Sequence, residues 1–490
     1  MRLSAKGTSM VYFFIAAAIL ILGYFTYGKL VENIFGVDDS IPTPAIRLED
    51  GVDFVPIKMW NINLIQLLNI AGLGPIFGPI LGALYGPVAL VWVVIGCIFA
   101  GGVHDYFSGM LSVRENGKSI PEIVGANLGL TAKQLMNIIS IVLLLLVGVV
   151  FVLGPAALLA KKINFGLDPV IAKYVWTSFI FVYYFIATIL PVDKIIGRIY
   201  PLFGVALLIM AFGLITMLMV KGYDFYPNGL DLHNTHPKDL PMWPLIFITI
   251  ACGAVSGFHA TQSPLMARCI TKESNGRPVF YGAMIGEGLI ALVWVTLGMS
   301  FYQTPEALQA ALANGGPAAV VDQISTTLMG PIGGFLAVIG VIALPITSGD
   351  TAFRSARLII ADFFKFSQKE NSKRLMIAVP LFLIGFAITK TEFSVIWRYF
   401  GLTNQALATI VLWTAGVYLA RHAKAHWIAT VPATFMTAVS ATYLCNAKIG
   451  FNMPYETSVI VGAAFAAFCF IWFMLKSNKL SAAKSVTTSN

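Results

Sequence analysis

The run SIVLLLLVGVVFVLG at residues 140–154 carries no charge and continues past any ordinary core strand. MVYFFIAAAILILGYF at residues 10–25 does the same. Runs of this kind decide the solvent before they decide the fold. A helix crossing the hydrocarbon of a bilayer needs about 20 mostly apolar residues. Charged residues make up 11% of the 490, against roughly 25% in a soluble globular chain. A water-facing surface needs charge, and a lipid-facing surface excludes it. Hydropathy marks candidate spans at 10–30, 60–84, 86–112, 132–160, 169–190, 198–220, 241–267, 278–302, 330–363, 373–389, 394–420, 427–446 and 454–475, about thirteen in all. Lipid offers backbone groups no water to bond, so spans are helices or strands of a closed barrel. Barrel strands alternate over about ten residues; these runs are longer and uniformly apolar. The expected fold is an all-α polytopic membrane protein of about thirteen helices, one transmembrane domain over 1–490 with no linker dividing it.

The formal net charge of +9 fits basic residues gathered in cytoplasmic loops. No basic stripe interleaved with aromatics accompanies it, so nucleic acid is not an expected partner; membrane lipids are. Placing the N-terminus outside and the C-terminus inside puts roughly twice as many Lys and Arg on the inside as on the outside. The inside cluster includes Arg354, Arg357, Lys365, Lys369, Lys373 and Arg374, whereas the loop 303–329 has no Lys or Arg. Arg2 and Lys6 precede the first apolar run without a small-residue cleavage site after it, so that run is expected to stay as the first span. The expected location is a bacterial-type inner membrane. Cys97, Cys252, Cys269, Cys445 and Cys469 form no CxxC pair and lie in or beside apolar runs, so they read as small buried side chains rather than metal ligands.

Two spans contain residues that a straight helix does not want. NLIQLLNIAGLGPIFGPILGALYG (63–86) holds Gly72, Gly74, Pro75, Gly78 and Pro79 close together. Pro removes a backbone donor and clashes with the preceding turn, and Gly adds backbone freedom. The reading is a helix broken over 72–79. LIFITIACGAVSGFHATQSPLMARC (245–269) is interrupted by Gly253, Ser256, Gly257 and Pro264 and carries His259, Thr261 and Gln262, so a second break is expected over 253–262. The two helices enter the membrane from opposite faces. That is the pattern of an inverted repeat whose first helix is broken in each half. The halves would be 60–220 and 241–420, with residues 1–59 preceding them, two extra helices over 421–476 and a cytoplasmic tail over 477–490.

Other intramembrane polar residues suggest chemistry. Leu344, Thr347 and Ser348 share one helix face beside Pro345, and two hydroxyls with carbonyls make a hard oxygen site for a small cation. Asp350 and Arg354 stand four apart and are expected to pair, as a structural link or gate. Glu287 falls near the middle of its span. A carboxylate there should face a cavity or be protonated, which makes it the preferred proton carrier. His104 and Asp105 read as the cytoplasmic end of a span, ordering a loop or relaying a proton, and His259 sits in the second interruption. No P-loop, GxSxG or HExxH occurs, so neither an enzyme nor an ATP-driven pump is expected and no cofactor is implied.

Five segments together resemble the carbon-starvation (CstA) family of transporters: TPAIRLEDGVDFVP (43–56), NIAGLGPIFGP (69–79), GGVHDYFSGMLSVRENGKSIPEIVG (101–125), SGFHATQSPLMARC (256–269) and LPITSGDTAFRSARL (344–358). The resemblance covers most of residues 10–420. It implies a LeuT-like fold and proton-driven uptake of pyruvate or peptides. It places substrate between the second and seventh spans, at Gly72, Gly74, Pro75, Ser256, Gly257, Phe258, His259, Thr261 and Gln262. Similarity to LeuT-kind sodium symporters implies a cation held by carbonyls of Leu68, Ala71 and Leu344 with the hydroxyls of Thr347 and Ser348; Pro75 departs from that symporter pattern. The expected function is an ion-coupled symporter, driven by H⁺ or Na⁺, importing a small carboxylate such as pyruvate, or amino acids or small peptides. The rivals are a solute channel and a membrane sensor that binds without transport.

Overall fold

The computed structural model describes residues 6–51, 53–189, 193–226, 229–366, 368 and 370–487, and side chains at 6–9, 193–201 and 478–487 are not described. Arg2 and Lys369, counted toward the orientation, and the last residues of the expected tail lie outside the described residues.

Among the described residues the chain's regular structure is helical, as lipid requires of a span. Its membrane helices are α1 (Met10–Phe35), α2 (Met59–Ile70), α3 (Gly74–Gly82), α4 (Val88–Arg114), α5 (Leu130–Lys162), α6 (Pro169–Ile189) and α7 (Leu202–Val220). There follow α8 (Met242–Thr249), α9 (Gly257–Ala267), α10 (Gly282–Tyr302), α11 (Gly316–Val338), α12 (Leu344–Phe363), α13 (Asn371–Ile388), α14 (Phe393–Arg421), α15 (Trp427–Asn446) and α16 (Tyr455–Ser477). Among the described residues eleven helices are long and apolar enough to cross a membrane, or twelve if α2 and α3 are one bent span. The interrupted pair α8 and α9 occupies the expected span 241–267. The protein is therefore a multi-pass membrane protein.

Burial sorts the helices into an inner and an outer set. α3, α4, α9 and α10 are buried along most of their length. α1, α6, α13 and α16 turn large apolar side chains outward, among them Leu22, Phe25, Phe179, Leu383, Ile460 and Leu475. In water such a surface would aggregate; in a bilayer it is the lipid contact.

Glycine sets how closely the inner helices meet. A Cβ on Gly101 of α4 would stand 2.2 Å from the carbonyl oxygen of Ala254, and one on Gly253 would stand 2.5 Å from the methyl of Ala291. Gly253 also has φ +91°, a conformation that side-chain-bearing residues avoid. The carbonyl at Ala254 is backbone and cannot swing aside. Gly101→Ala is therefore expected to cost about 1–3 kcal/mol through overpacking. In detergent it should lower Tm by a few degrees. Gly334→Ala, whose Cβ would meet only the Thr326 hydroxyl at 3.4 Å, should leave Tm unchanged.

Candidate functional site

The first interruption is shorter than its five Gly and Pro residues imply. α2 stops at Ile70, α3 resumes at Gly74, and the two are bent by 49°. Pro75 lies in the first turn of α3, where the missing donor would have been unpaired anyway. The break over 72–79 is thus corrected to 71–73. Gly74, Gly78 and Gly82, spaced one per turn, serve packing instead. Their Cβ atoms would meet Cys252 Sγ at 2.4 Å, the Thr249 carbonyl oxygen at 2.9 Å and the Ile250 side chain at 2.4 Å. The stripe presses the first broken helix onto the second.

The second interruption runs over 250–256 rather than 253–262. Its exposed backbone groups are taken up by side chains of neighbouring helices. Trp92 Nε1 donates to the Ile250 carbonyl at 3.3 Å, and Gln405 Nε2 donates to the Phe247 carbonyl at 2.8 Å. Asn404 Oδ1 accepts from the Phe258 N–H at 2.7 Å, in the first turn of α9, and its amide reaches Ser256 Oγ at 3.3 Å. His259, Thr261 and Gln262 consequently sit on α9 itself, not in the unwound stretch. Thr261 Oγ1 donates to the Phe258 carbonyl at 2.6 Å, and Gln262 Nε2 donates to Thr261 Oγ1 at 3.0 Å.

At this junction lies a chain of titratable side chains that sequence spacing scatters over three helices. His104 Nδ1 lies 2.7 Å from Asp105 Oδ1, and His259 Nδ1 lies 2.8 Å from Asp105 Oδ2. His259 Nε2 stands 3.3 Å from Glu287 Oε2. All four side chains are fully buried. His104 and Asp105 therefore do not order a loop at a span end. α4 continues beyond them to Arg114, and they belong to the membrane interior with His259 and Glu287. Beyond the ion-pair approach, His259 Nε2 and the Glu287 oxygens meet Cys252 and the Gly253 N–H, in no well-aligned hydrogen bond; Gln262 Oε1 and both amide atoms of Gln66 on α2 also lack a partner.

Phe151 of α5 fills the space beside the first break. A Cβ on Gly72 would stand 2.5 Å from its Cζ, and one on Gly349 of α12 would stand 3.2 Å from its Cβ. Its ring meets Phe258 edge-on at 6.2 Å. Of the expected cation ligands, Leu68, Ala71 and Leu344 are buried. Thr347 Oγ1 donates to the Leu344 carbonyl at 2.7 Å, within its own helix. Ser348 is also buried. A π-helical turn, Ile339–Ala343, runs directly into α12 ahead of Pro345. Asp350 and Arg354 pair at 3.0 Å.

Two sets of polar contacts mark the two ends of the bundle. At one end Arg114, closing α4, bonds Glu273 at 2.9 Å, the Gly36 carbonyl at 2.6 Å and Tyr418 Oη at 3.0 Å, while Arg277 approaches Glu32 at 3.2 Å. At the other, Lys162 meets Asp322 at 2.7 Å, near a cavity of about 570 Å³ whose walls include Phe77 and Leu153.

Sequence reasoning missed Asn404, Gln405 and Phe151. The signal for the first two was present, since adjacent amides inside an apolar span need a reason. Nothing in the sequence singles out one phenylalanine among 35. Asn404→Ala would leave a buried N–H unpaired, at a cost of about 1–3 kcal/mol. It should lower Tm, and Asn404→Asp, which keeps the acceptor for Phe258, should lower it less. An unchanged Tm for Asn404→Ala would mean that this amide does not hold the unwound segment.

Comparison with known proteins agrees with this architecture. The family model described as carbon starvation protein CstA matches residues 8–172, 157–326 and 305–443. A Haemophilus influenzae protein described as an uncharacterized membrane protein is 50% identical over 356 residues, covering 63% of this chain and 96% of its own length. The Bacillus subtilis protein named peptide transporter CstA is 28% identical, over 80% of this chain and 82% of its own. The crystal structure of MhsT in complex with L-phenylalanine superposes with a TM-score of 0.51 at 14% identity, covering 86% of this chain and 99% of that one. The last likeness is one of fold, the LeuT-like arrangement.

Proposed function

The chain belongs to the carbon starvation protein CstA family, and from that kinship we propose that it is a secondary transporter importing a small carboxylate-bearing solute by alternating access. The names of relatives in Bacillus subtilis and Escherichia coli, peptide transporter CstA, favour small peptides, with amino acids and pyruvate as the smaller members of the same chemical class. The observation that carries the reading is the buried chain His104–Asp105–His259–Glu287 beside two interrupted helices. Burying titratable groups in a membrane is expensive, and function is the usual reason for tolerating it.

In this reading residues 60–220 and 241–420 are the two halves that rock against each other. The solute's carboxylate meets the start of α9, where the positive end of the helix dipole favours an anion. Gly72, Ser256, Gly257 and Phe258 stand nearest to that point, with Phe151 as the ring that must move aside. A proton is the driving ion, and Glu287 carries it. The imidazole of His259 lies between two carboxylates and passes a proton from one to the other by taking it on one nitrogen and releasing it from the other. The hydroxyls of Thr347 and Ser348 are the sodium alternative, and the commitment of Thr347 to its own helix speaks for the proton. The end closed by Arg114 and Glu273 is cytoplasmic, which places the N-terminus outside and the C-terminus inside.

Uptake of labelled dipeptide, alanine and pyruvate into proteoliposomes tests this. An inward proton gradient should drive accumulation of at least one of them at least tenfold above protein-free vesicles, and a sodium gradient alone should not. Glu287→Gln should abolish accumulation while leaving exchange of internal for external solute. Flux that ignores both gradients would make the protein a channel, and binding without flux would make it a sensor.

A further inference from the structure

The chain of acids and imidazoles ends on His259 Nε2 and the Glu287 carboxylate, 3.3 Å apart. Neither His259 Nε2 nor a Glu287 oxygen makes a well-aligned hydrogen bond although both side chains are wholly buried; their neighbours there are each other and the Gly253 N–H. The third group facing them is Cys252, in the unwound segment, equally buried and not in a disulfide. One ligand atom from each of Cys252, His259 and Glu287 lies within 4.8 Å of the other two. In a tetrahedral site with bonds of about 2.0–2.3 Å, ligand atoms stand roughly 3.3–3.8 Å apart. The 3.3 Å between His259 and Glu287 is already that separation. Cys252 Sγ already faces His259, and its other contacts are to Ser256 Oγ at 3.2 Å and Asn404 Nδ2 at 3.8 Å.

The surroundings are those of a metal ligand rather than of a packed histidine. A metal-bound imidazole commonly gives its other N–H to a carboxylate, which fixes the tautomer and aims the ring. Asp105 accepts from His259 Nδ1 in this way at 2.8 Å, and its other oxygen is held by His104 at 2.7 Å. The donor set of one thiolate, one imidazole and one carboxylate suits a borderline divalent transition ion; magnesium and calcium prefer oxygen alone. We propose that Cys252 Sγ, His259 Nε2 and the Glu287 carboxylate form a binding site for one divalent transition cation of the zinc class, with a fourth position open to water. The site joins the unwound segment to α9 and α10, so an ion there would tie together the elements that alternating access must move. It goes beyond the proton reading and uses the same side chains differently: a cation needs His259 and Glu287 deprotonated, so ion and proton exclude each other.

The test is metal binding by the purified, untagged full-length protein, independent of transport. Zinc alone should bind at one ion per chain after removal of loosely held metal, and cobalt(II) should give tetrahedral ligand-field bands with a thiolate-to-cobalt charge-transfer band. Cys252→Ser should remove the charge-transfer band and weaken zinc binding at least tenfold. Glu287→Gln and His259→Gln should weaken it at least as much, while Cys269→Ser should change nothing. Cobalt bound without a charge-transfer band, wild-type zinc affinity in the Cys252 or Glu287 variant, or no stoichiometric binding at all would overturn the proposal. Proton-driven uptake by chelator-treated protein reports separately on the transport reading.

Discussion

One carboxylate shared between two imidazoles decides how the centre of this protein is put together. Asp105 accepts with one oxygen from His104 on its own helix and with the other from His259 on α9. That fixes the ring of His259 and presents its far nitrogen to Glu287 on α10. Polar groups so far from water are stable only while each keeps its partner; leaving a buried donor or acceptor unpaired costs about 1–3 kcal/mol. Three helices are thereby held in one relation, in a place where the hydrophobic effect cannot choose among relations because lipid is as apolar as the helix faces.

The same absence of water governs the broken helices. An unwound stretch in a membrane survives only if neighbouring protein satisfies its peptide groups. Trp92, Gln405 and Asn404 do so for the second break, each from a different position in the sequence than the segment it serves. Glycine makes the reach possible. Gly74, Gly78 and Gly82 bring α3 against residues 249–252, and Gly257 brings α9 against the backbone of Asn404. Structure and chemistry are coupled here: without the close approach, Cys252 would not stand beside His259 and Glu287.

Much of this was legible in the sequence. Apolar length located the spans, and concentrated Gly and Pro located the two broken helices, because lipid turns a broken helix into a strong local signal. The exact breaks were not legible. Pro75 looks like a breaker yet is tolerated in a first turn, and the glycines that look like breaks at 74 and 78 are contact surfaces whose partner lies far along the chain. His104 and Asp105 were read as a span end because their closeness to Arg114 suggested the surface, whereas their partners on α9 and α10 are visible only in three dimensions. Glu287 alone announced itself as buried, since its depth follows from counting residues. Cys252 reads as a small apolar side chain in the sequence, because its closeness to Glu287 comes only from the fold.

The central claim is that Asp105 holds both rings. Nitrogen-15 NMR of histidine-labelled protein in lipid nanodiscs addresses it directly, with wild type compared to Asp105→Asn. Two buried imidazoles should show strongly hydrogen-bonded Nδ1–H resonances in the wild type, and both should move together in the variant. Nδ1 resonances of His104 and His259 that stay where they were would show that the carboxylate does not bridge them, and the arrangement of α4, α9 and α10 described above would not stand.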